Sequence, residues 1–370
     1  MSEPVALVHD WLTGQRGGEN VLLALARLFP RAPIYTLFHF PGSVDAAIER
    51  HPIRTSFLQG APALVSSYRW YLPLFPFAVE DLDVRSHRLV FSTSHCVAKS
   101  VRKGPGARHF CYCHTPMRYA WDQEESYFGR GRGPLAALRR RILAALRRWD
   151  VATSGRVDRY LANSRFVAER IRRYYRRGAE VVPPPVDTGF FTPPPAPIER
   201  SGALMVAALS PYKKVDLAIA ACAAAGIRLT VVGAGPEEAR LRRLAGPDVT
   251  LAGRVSRERL RELYRSAEML LQPGLEDFGI ASVEALACGT PVLARGGGGV
   301  LDVVRDGVHG LLFAADEAAA IAAAIDKARG MKFNSVNLRE RAEDFSAERF
   351  ALRVRELLVA DWPDAEGYFA

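Results

Sequence analysis

Glu276 and Glu284 lie in the stretch LEDFGIASVEALACGTPVLA, which runs from Leu275 to Ala294. The first follows the apolar run EMLLQPG, which reads as a strand. The second falls in a helical pattern of mostly apolar residues, Ala281, Val283, Ala285, Leu286 and Ala287. A carboxylate buried in such a helix needs polar partners. Ligands of open α/β sheets sit beyond the C-terminal ends of the strands, so Glu276, on the loop Gly274–Ile280, is expected to project into a crevice. After Phe278, a helical pattern runs over Ile280–Cys288, with the amides of Gly279, Ile280 and Ala281 near its N-terminus. Its free amides and the positive end of the helix dipole suit a diphosphate. Glu284, one turn further in, could accept hydrogen bonds from paired ribose hydroxyls. The alternative is that both are ordinary acids near a helix start.

Other groups invite similar questions. SPYKKVDLAIAA (210–221) is expected to place Lys213 and Lys214 in the first turn of a helix. Cations there oppose the dipole, which makes sense if lysine and helix end address one phosphate; a solvated surface lysine is the alternative. In VVGAGPEE, Gly233 and Gly235 follow a strand, where small residues admit a ligand or a turning backbone. The third glycine of a GxGxxG fingerprint is missing, so a dinucleotide site is poorly supported. CYCH at Cys111–His114 has no second ligand pair at zinc spacing. Asp81 and Asp83 form an Asp-x-Asp pattern among aromatic residues, without nucleotide context. No metal is expected.

These groups need strand ends and helix starts to hold them. The first half supplies VALVHD, a glycine loop and amphipathic helix in GQRGGENVLLALARLF, the buried runs RLVFSTSH and HFCYCHTP, and the strand–loop–helix DRYLANSRFVAERIRRYY. Seven prolines crowd VVPPPVDTGFFTPPPAPIERSG (181–202), which can continue neither a helix nor a central strand. Beyond it, strands and helices alternate again. That pattern implies parallel sheets covered on both faces. The expected domains are 1–183, 184–345 and a helical tail, 346–370, returning to the first.

At 370 residues the chain is long enough for two cores. Its five scattered cysteines, with no CxxC pair, read as reduced thiols. The opening MSEPVALVHDW lacks the pattern of a signal peptide, and no long uncharged apolar run appears. These features lead to the expectation of a cytoplasmic protein. The net charge of +10 is concentrated: Arg130 to Arg177 holds fifteen arginines, no lysine and three acids. In PLAALRRRILAALRRW (134–149), Leu135, Leu138, Ile142, Leu146 and Trp149 share one helical arc. Arg139, Arg140, Arg141, Arg147 and Arg148 lie opposite. Such a helix suits an anionic membrane surface, and YRWYLPLFPF (68–77), with Trp70, adds a second aromatic stretch. A helix packed by its leucines with arginines in water is the alternative. No RNA-binding motif accompanies the arginines, so nucleic acid is not expected.

Taken together, Glu276-x7-Glu284, Gly289-Thr290-Pro291 and the run Gly296–Gly299 resemble the donor-site signature of retaining glycosyltransferases of family 4. RGGEN (16–20), ANSRFVAERI, VVPPPVDTGFF, SPYKKVD and AGRVSRERLRELY follow in the family's order. The resemblance implies the GT-B fold, two Rossmann-like domains facing each other across a cleft. It implies sugar transfer with retention and without a metal or other cofactor. By resemblance, His114 meets the transferred sugar, and Gly17 and Gly18 form the loop that diphosphate and acceptor approach. Lys213 holds the diphosphate, Glu276 the sugar hydroxyls and Glu284 the ribose, with base contacts around Arg254 and Val255. Many members carry an arginine five residues before the lysine; here it is Ala208, and Lys214 is the candidate substitute. VHDWLTGQRGGE, FCYCHTPMRYAWD and YKKVD further resemble bacterial mannosyltransferases that build O-antigen, capsule or exopolysaccharide on a lipid carrier. That resemblance implies GDP-mannose as donor, a lipid-diphosphate-linked saccharide as acceptor, and a place at the inner face of the plasma membrane. A UDP-sugar donor, or a nucleotide-sugar or polyanion binder without transfer activity, are the alternatives.

Overall fold

The computed structural model describes residues 3–122 and 133–369. The chain divides into two units, Met1–Pro185 with Phe350–Ala370, and Val186–Arg349. Arg130 and Arg132, which open the arginine-rich stretch, lie outside the described residues.

The first unit is built on seven strands: β1 (Val5–His9), β2 (Ile34–Thr36), β3 (Ile53–Thr55), β4 (Leu89–Ser94), β5 (Arg108–Cys113), β6 (Arg159–Ala162) and β7 (Ala179–Val181). All pair in parallel, in the order β3-β2-β1-β4-β5-β6-β7. The central strands are buried because helices cover both faces; β1 and β4 are buried at every position, β4 including the polar Ser92, Thr93 and Ser94 at its C-terminal end. The helix Gly17–Leu28 turns Val21, Leu22, Leu25 and Leu28 into one face of the core. From the C-terminal helix Ala347–Asp361, Phe350, Val354, Leu357 and Leu358 join the same cluster at helical spacing. Each such side chain contributes about 1.5–3 kcal/mol of burial.

The second unit repeats the plan with β8 (Ala203–Val206), β9 (Leu229–Val232), β10 (Val249–Gly253), β11 (Met269–Gln272), β12 (Val292–Arg295) and β13 (Gly310–Phe313), in the order β10-β9-β8-β11-β12-β13. All are parallel. In both sheets the strand order reverses beside the first strand, between β1 and β4 and between β8 and β11. Each reversal opens a crevice at the C-terminal strand ends.

The break between units falls at Pro185/Val186, two residues beyond the expected 183/184. Val182 is held in the first unit, its carbonyl accepting from the Tyr112 hydroxyl at 2.8 Å. Val186 donates its amide to Phe345 at 2.9 Å within the second. The assignment likewise changes at Phe350 rather than at Ser346. Ahead of both, Ser335–Glu343 forms a further helix, started by the Asn334 side chain accepting from Val336 N.

Candidate functional site

In the second unit the reversal brings together the loops that leave β8 and β11. The first ends in a short 3-10 turn, Pro211–Lys213, and Lys214 caps the helix Val215–Ala224 in the left-handed region, φ 57°. Both lysines therefore precede the helix instead of occupying its first turn. Proline starts a turn that closes before the helix begins, so the cations avoid the interior of the dipole. Gly274 lets the two loops touch: a Cβ there would lie 2.6 Å from Tyr212 O and 2.8 Å from Lys213 Cα. That contact delivers the Lys213 ammonium onto the Glu276 carboxylate, and the two form an ion pair, both side chains largely shielded from water. The Tyr212 ring lies 5.1 Å from the same ammonium. Gly299 N donates to Glu276 O at 2.9 Å, so the glycine run after β12 braces the loop from behind.

Gly279 caps the helix Ile280–Ala287 at φ +98°, and a side chain there would meet Gln272 Nε2 at 2.7 Å. Gln272, buried at the end of β11, is bonded by the Ser282 hydroxyl. The helix start is thereby tied to the strand that precedes it. Glu284 points to Tyr264, whose hydroxyl donates to its Oε2 at 2.7 Å. Burial pushes the Glu284 carboxyl up to about 7, against the lowering effects of the Tyr264 hydrogen bond and Arg257. Tyr264 is itself buried, and its carbonyl accepts from the Thr290 hydroxyl at 2.5 Å.

Gly233, Phe278, Ile280 and Val255, also expected at the donor site, make packing contacts. Gly233 lies where a Cβ would come within 1.9 Å of Ala207 O, so its smallness admits neighbouring backbone. Phe278 is buried and packs edge-on against Phe345, with ring centroids 5.5 Å apart, so only its main chain is open to a ligand. Ile280 and Val255 are half-buried against the same core, while Arg254 is exposed.

In the first unit the reversal gathers three histidines. Gly17 and Gly18 form the first turn of the helix Gly17–Leu28 and not a loop. Glycine is a poor helix former, but Arg16 N donates to Glu19 Oε2 at 3.0 Å and fixes the start. A Cβ on Gly18 would lie 3.6 Å from both His114 Nε2 and His9 Cε1. His114 follows β5, held by its amide on Ser94 O (2.8 Å) and by Asn163 on its carbonyl (2.9 Å). Burial, then His95 and His9, lower its pKa to about 3, so the ring is neutral, and its buried Nε2 has no hydrogen-bond partner among the described residues. His9 Nδ1 shares a hydrogen with Thr93 Oγ1 at 2.5 Å. Asp10 accepts the backbone amides of His95, Cys96, Val97 and Ala98 at 2.6–2.9 Å and lies 3.0 Å from His95 Nδ1. Sequence spacing missed Asp10, His9 and His95, which come together only through strand pairing. The one available signal was a polar pair ending an apolar strand, VALVHD.

The arginine-bearing helix, Pro134–Thr153, divides along its length. Leu143 and Leu146 are buried, and Ile142 and Trp149 pack against the same cluster. Arg147 donates to Ala120 O at 2.6 Å. Ile142, Leu146 and Trp149, expected on the lipid-facing arc, thus pack inside the first unit, and Arg147, expected opposite that arc, is bonded to its backbone. Its inner end is fixed by a buried charge: Lys99 Nζ lies 2.9 Å from Asp150 Oδ1, and Asp150 Oδ2 accepts from Trp121 Nε1 and Tyr175 OH, each at 2.9 Å. Leu135 (82%) and Leu138 (55%) remain exposed, as does Trp70 (85%). Arg140, Arg141 and Arg148 are exposed and Arg139 is half-buried. Among the described residues no group of three or more His, Cys, Asp or Glu could hold a metal, and no helix is long and apolar enough to cross a membrane. Cys111 and Cys113 are buried free thiols on β5. Asp83 is paired with Arg85.

Residues 15–190 match the family model Glycosyltransferase Family 4, and residues 193–347 match Glycosyl transferases group 1. The chain belongs to this family-4/group-1 class of GT-B glycosyltransferases. The sequence is 34% identical over 230 residues to D-inositol 3-phosphate glycosyltransferase of Acidothermus cellulolyticus, covering 50% of this chain and 51% of that one. The corresponding protein of Mycolicibacterium smegmatis is 33% identical over 42% of this chain and 41% of its own length. The chain thus spans about half the length of the curated relatives it matches. Among solved structures, sucrose-phosphate synthase of Thermosynechococcus elongatus aligns with a TM-score of 0.74 at 20% identity, covering 98% of this chain and all of the other (100%). HepE of Anabaena, in complex with UDP and glucose, aligns with a TM-score of 0.71 at 17% identity over 96% and 99% of the two chains.

Proposed function

We propose that this protein transfers a hexose, mannose from GDP-mannose, onto a lipid-diphosphate-linked saccharide, with retained anomeric configuration and without a metal. The observation that carries the reading is the pairing of Lys213 with Glu276 at the β8–β11 reversal. A cation for a diphosphate and a carboxylate for sugar hydroxyls stand together at the start of an open helix. Lys213 and the amides at Gly279 and Ile280 stabilise the leaving diphosphate where its charge develops. The carbon–oxygen bond to that diphosphate breaks as the acceptor oxygen bonds to the same face of the sugar, and a leaving-group oxygen takes the hydroxyl proton. Glu284 holds the ribose, Arg254 and Val255 border the base, and Lys214 supplies the positive charge that Ala208 does not. His114 Nε2 meets the transferred sugar, with Gly18 leaving it room.

The mannose assignment rests on the resemblance of the β1, β5 and Lys213 segments to lipid-carrier mannosyltransferases. A UDP-sugar donor is the second reading, supported by the UDP and glucose bound in the HepE structure. Leu135, Leu138 and Trp70, with Arg140, Arg141 and Arg148, are proposed to rest on anionic lipid at the cytoplasmic face of the membrane. Apolar insertion and electrostatic attraction act together in such contacts.

Calorimetric titration of GDP and UDP, followed by turnover assays pairing nucleotide sugars with lipid-diphosphate saccharides and inositol phosphate, tests the assignment. GDP binding and mannose transfer to the lipid-linked acceptor are expected. Tight UDP binding without GDP binding overturns the mannose assignment. Nucleotide binding with no transfer to any acceptor favours a binding protein.

A further inference from the structure

Pairing of β4 with β5 ends at Ser94 and Cys113, and His114 follows with its amide on Ser94 O at 2.8 Å. The direction of its imidazole then depends on where the His114–Thr115 peptide lies, because that peptide sets ψ of His114. Side chains from the next element take over from the sheet here. Asn163 Nδ2 donates to His114 O at 2.9 Å, and Arg170 Nη1 donates to Thr115 Oγ1 at 2.5 Å. Asn163 directly follows β6, and Arg170 lies in the helix Arg165–Tyr175. Ser164 caps that helix by accepting from Val167 N at 3.1 Å, and its hydroxyl donates to Asn163 Oδ1 at 3.1 Å. One helix start thus orients the amide that holds His114.

Arg170 is 9% exposed, and a guanidinium so buried needs acceptors that match its fork. Its Nη2 binds the Asp122 carboxylate. Tyr174, one turn on, donates to the other Asp122 oxygen, and its ring stacks on Trp121 with centroids 4.4 Å apart. The fork therefore ties together Thr115 and Asp122, the two ends of the segment that leaves His114. Thr115 Oγ1 also donates to Pro116 O at 3.2 Å, so its hydroxyl is fixed both as acceptor and as donor. We propose that Arg170 is a positioning residue for His114. Anchored by Asp122, it grips the Thr115 hydroxyl and so fixes the peptide that aims the imidazole at the transferred sugar. The assignment rests on the glycosyltransferase reading and deepens it.

Thr115→Val removes the hydroxyl that Arg170 grips, and Thr115→Ser keeps it. With the acceptor that supports turnover in the assays above, Thr115→Val should lower kcat roughly tenfold to a hundredfold, the cost of a misplaced group near the reacting atoms. Thr115→Ser should restore kcat to within about threefold of wild type. Arg170→Lys, which keeps a cation for Asp122 without the fork, should reproduce the Thr115→Val defect. GDP affinity should stay within about twofold in all three, because the residues proposed to hold the nucleotide lie in the other unit. In a His114→Ala background Thr115→Val should cause no further loss, since positioning then has nothing to act on. An unchanged kcat in Thr115→Val, a Thr115→Ser variant equally slow, or a full further loss in the His114→Ala background overturns the assignment. Imidazole nitrogen shifts of histidine-labelled protein need no turnover. The His114 signals, assigned by their absence in His114→Ala, should move in Thr115→Val and Arg170→Lys and hold in Thr115→Ser; signals unmoved in all three overturn the assignment. A wild-type protein that transfers to no acceptor overturns the glycosyltransferase reading, and these shifts then decide whether Arg170 fixes the ring.

Discussion

Glu284 offers a direct test of the ribose contact, because its protonation changes in an accessible pH range. Burial raises its pKa from 4.5 to about 7, equivalent to about 3 kcal/mol opposing ionisation. With a pKa of about 7, roughly one carboxyl in ten is ionised at pH 6 and nine in ten at pH 8. Ribose hydroxyls donate to the carboxylate and gain less from the protonated acid. Nucleotide binding should therefore favour the ionised form, strengthen roughly tenfold from pH 6 to pH 8, and release about half a proton near pH 7. The terminal phosphate of GDP titrates in the same window, so the comparison is between wild type and Glu284→Gln, which share that contribution. Calorimetry in two buffers of different ionisation enthalpy reads the proton release directly. Equal pH dependence and equal proton release in the two proteins would refute the contact. Stability follows the same linkage. The folded carboxyl holds its proton above its unfolded pKa, so stability falls as pH rises from about 4.5 to about 7. Glu284→Gln should remove that loss in thermal melts.

Three further outcomes are expected. Gly274→Val should drive the Tyr212–Lys213 turn away from Glu276, since even a Cβ approaches Tyr212 O to 2.6 Å. Overpacking of ~1–3 kcal/mol at that contact should weaken GDP binding, and unaltered affinity in a folded variant would contradict it. Lys99→Met leaves the buried Asp150 carboxylate without its cation and should cost ~3–5 kcal/mol in urea unfolding, whereas adding Asp150→Leu should recover part of that loss. The protein should pellet with anionic but not neutral vesicles in a salt-sensitive way, and Leu135→Asp with Leu138→Asp should abolish pelleting without changing the melting temperature.

Much of the frame was legible because parallel strands covered on both faces leave short continuous apolar runs, as in VALV of β1 and LVF of β4. The proline cluster was legible as a stretch that no helix or central strand crosses, and the change of unit, Pro185/Val186, lies within it. Lys213 and Glu276 were legible as candidates from their places at strand ends, but their contact depends on Gly274 and on β8 lying beside β11. Tyr264 was not legible as the partner of Glu284, because the two sit on different helices. Asp10 and His95 are further apart still, joined only by the pairing of β1 with β4. Gly17 and Gly18 look like loop residues by propensity, and capping by Glu19 with burial of the following leucines overrides it. The arginine-rich helix misleads for another reason. An apolar arc has the same period whether it meets lipid or protein, so Leu146 and Trp149 could not be assigned to one or the other from spacing.

On the proposed reading, the Lys213–Glu276 pair also determines which anions can use the donor loop. Any anion reaching the ammonium must displace a carboxylate already bound there, and that carboxylate then needs hydrogen-bond donors of its own. Sulfate brings none and leaves Glu276 stranded. A sugar diphosphate exchanges both partners at once, oxygen anions for Lys213 and hydroxyls for Glu276. The loop thus has a built-in competitor that only a two-part ligand displaces without loss, and discrimination arises from what is broken as much as from what is made. When the sugar has gone, the nucleoside diphosphate left behind faces the same carboxylate, and Glu276 returning to Lys213 assists its departure.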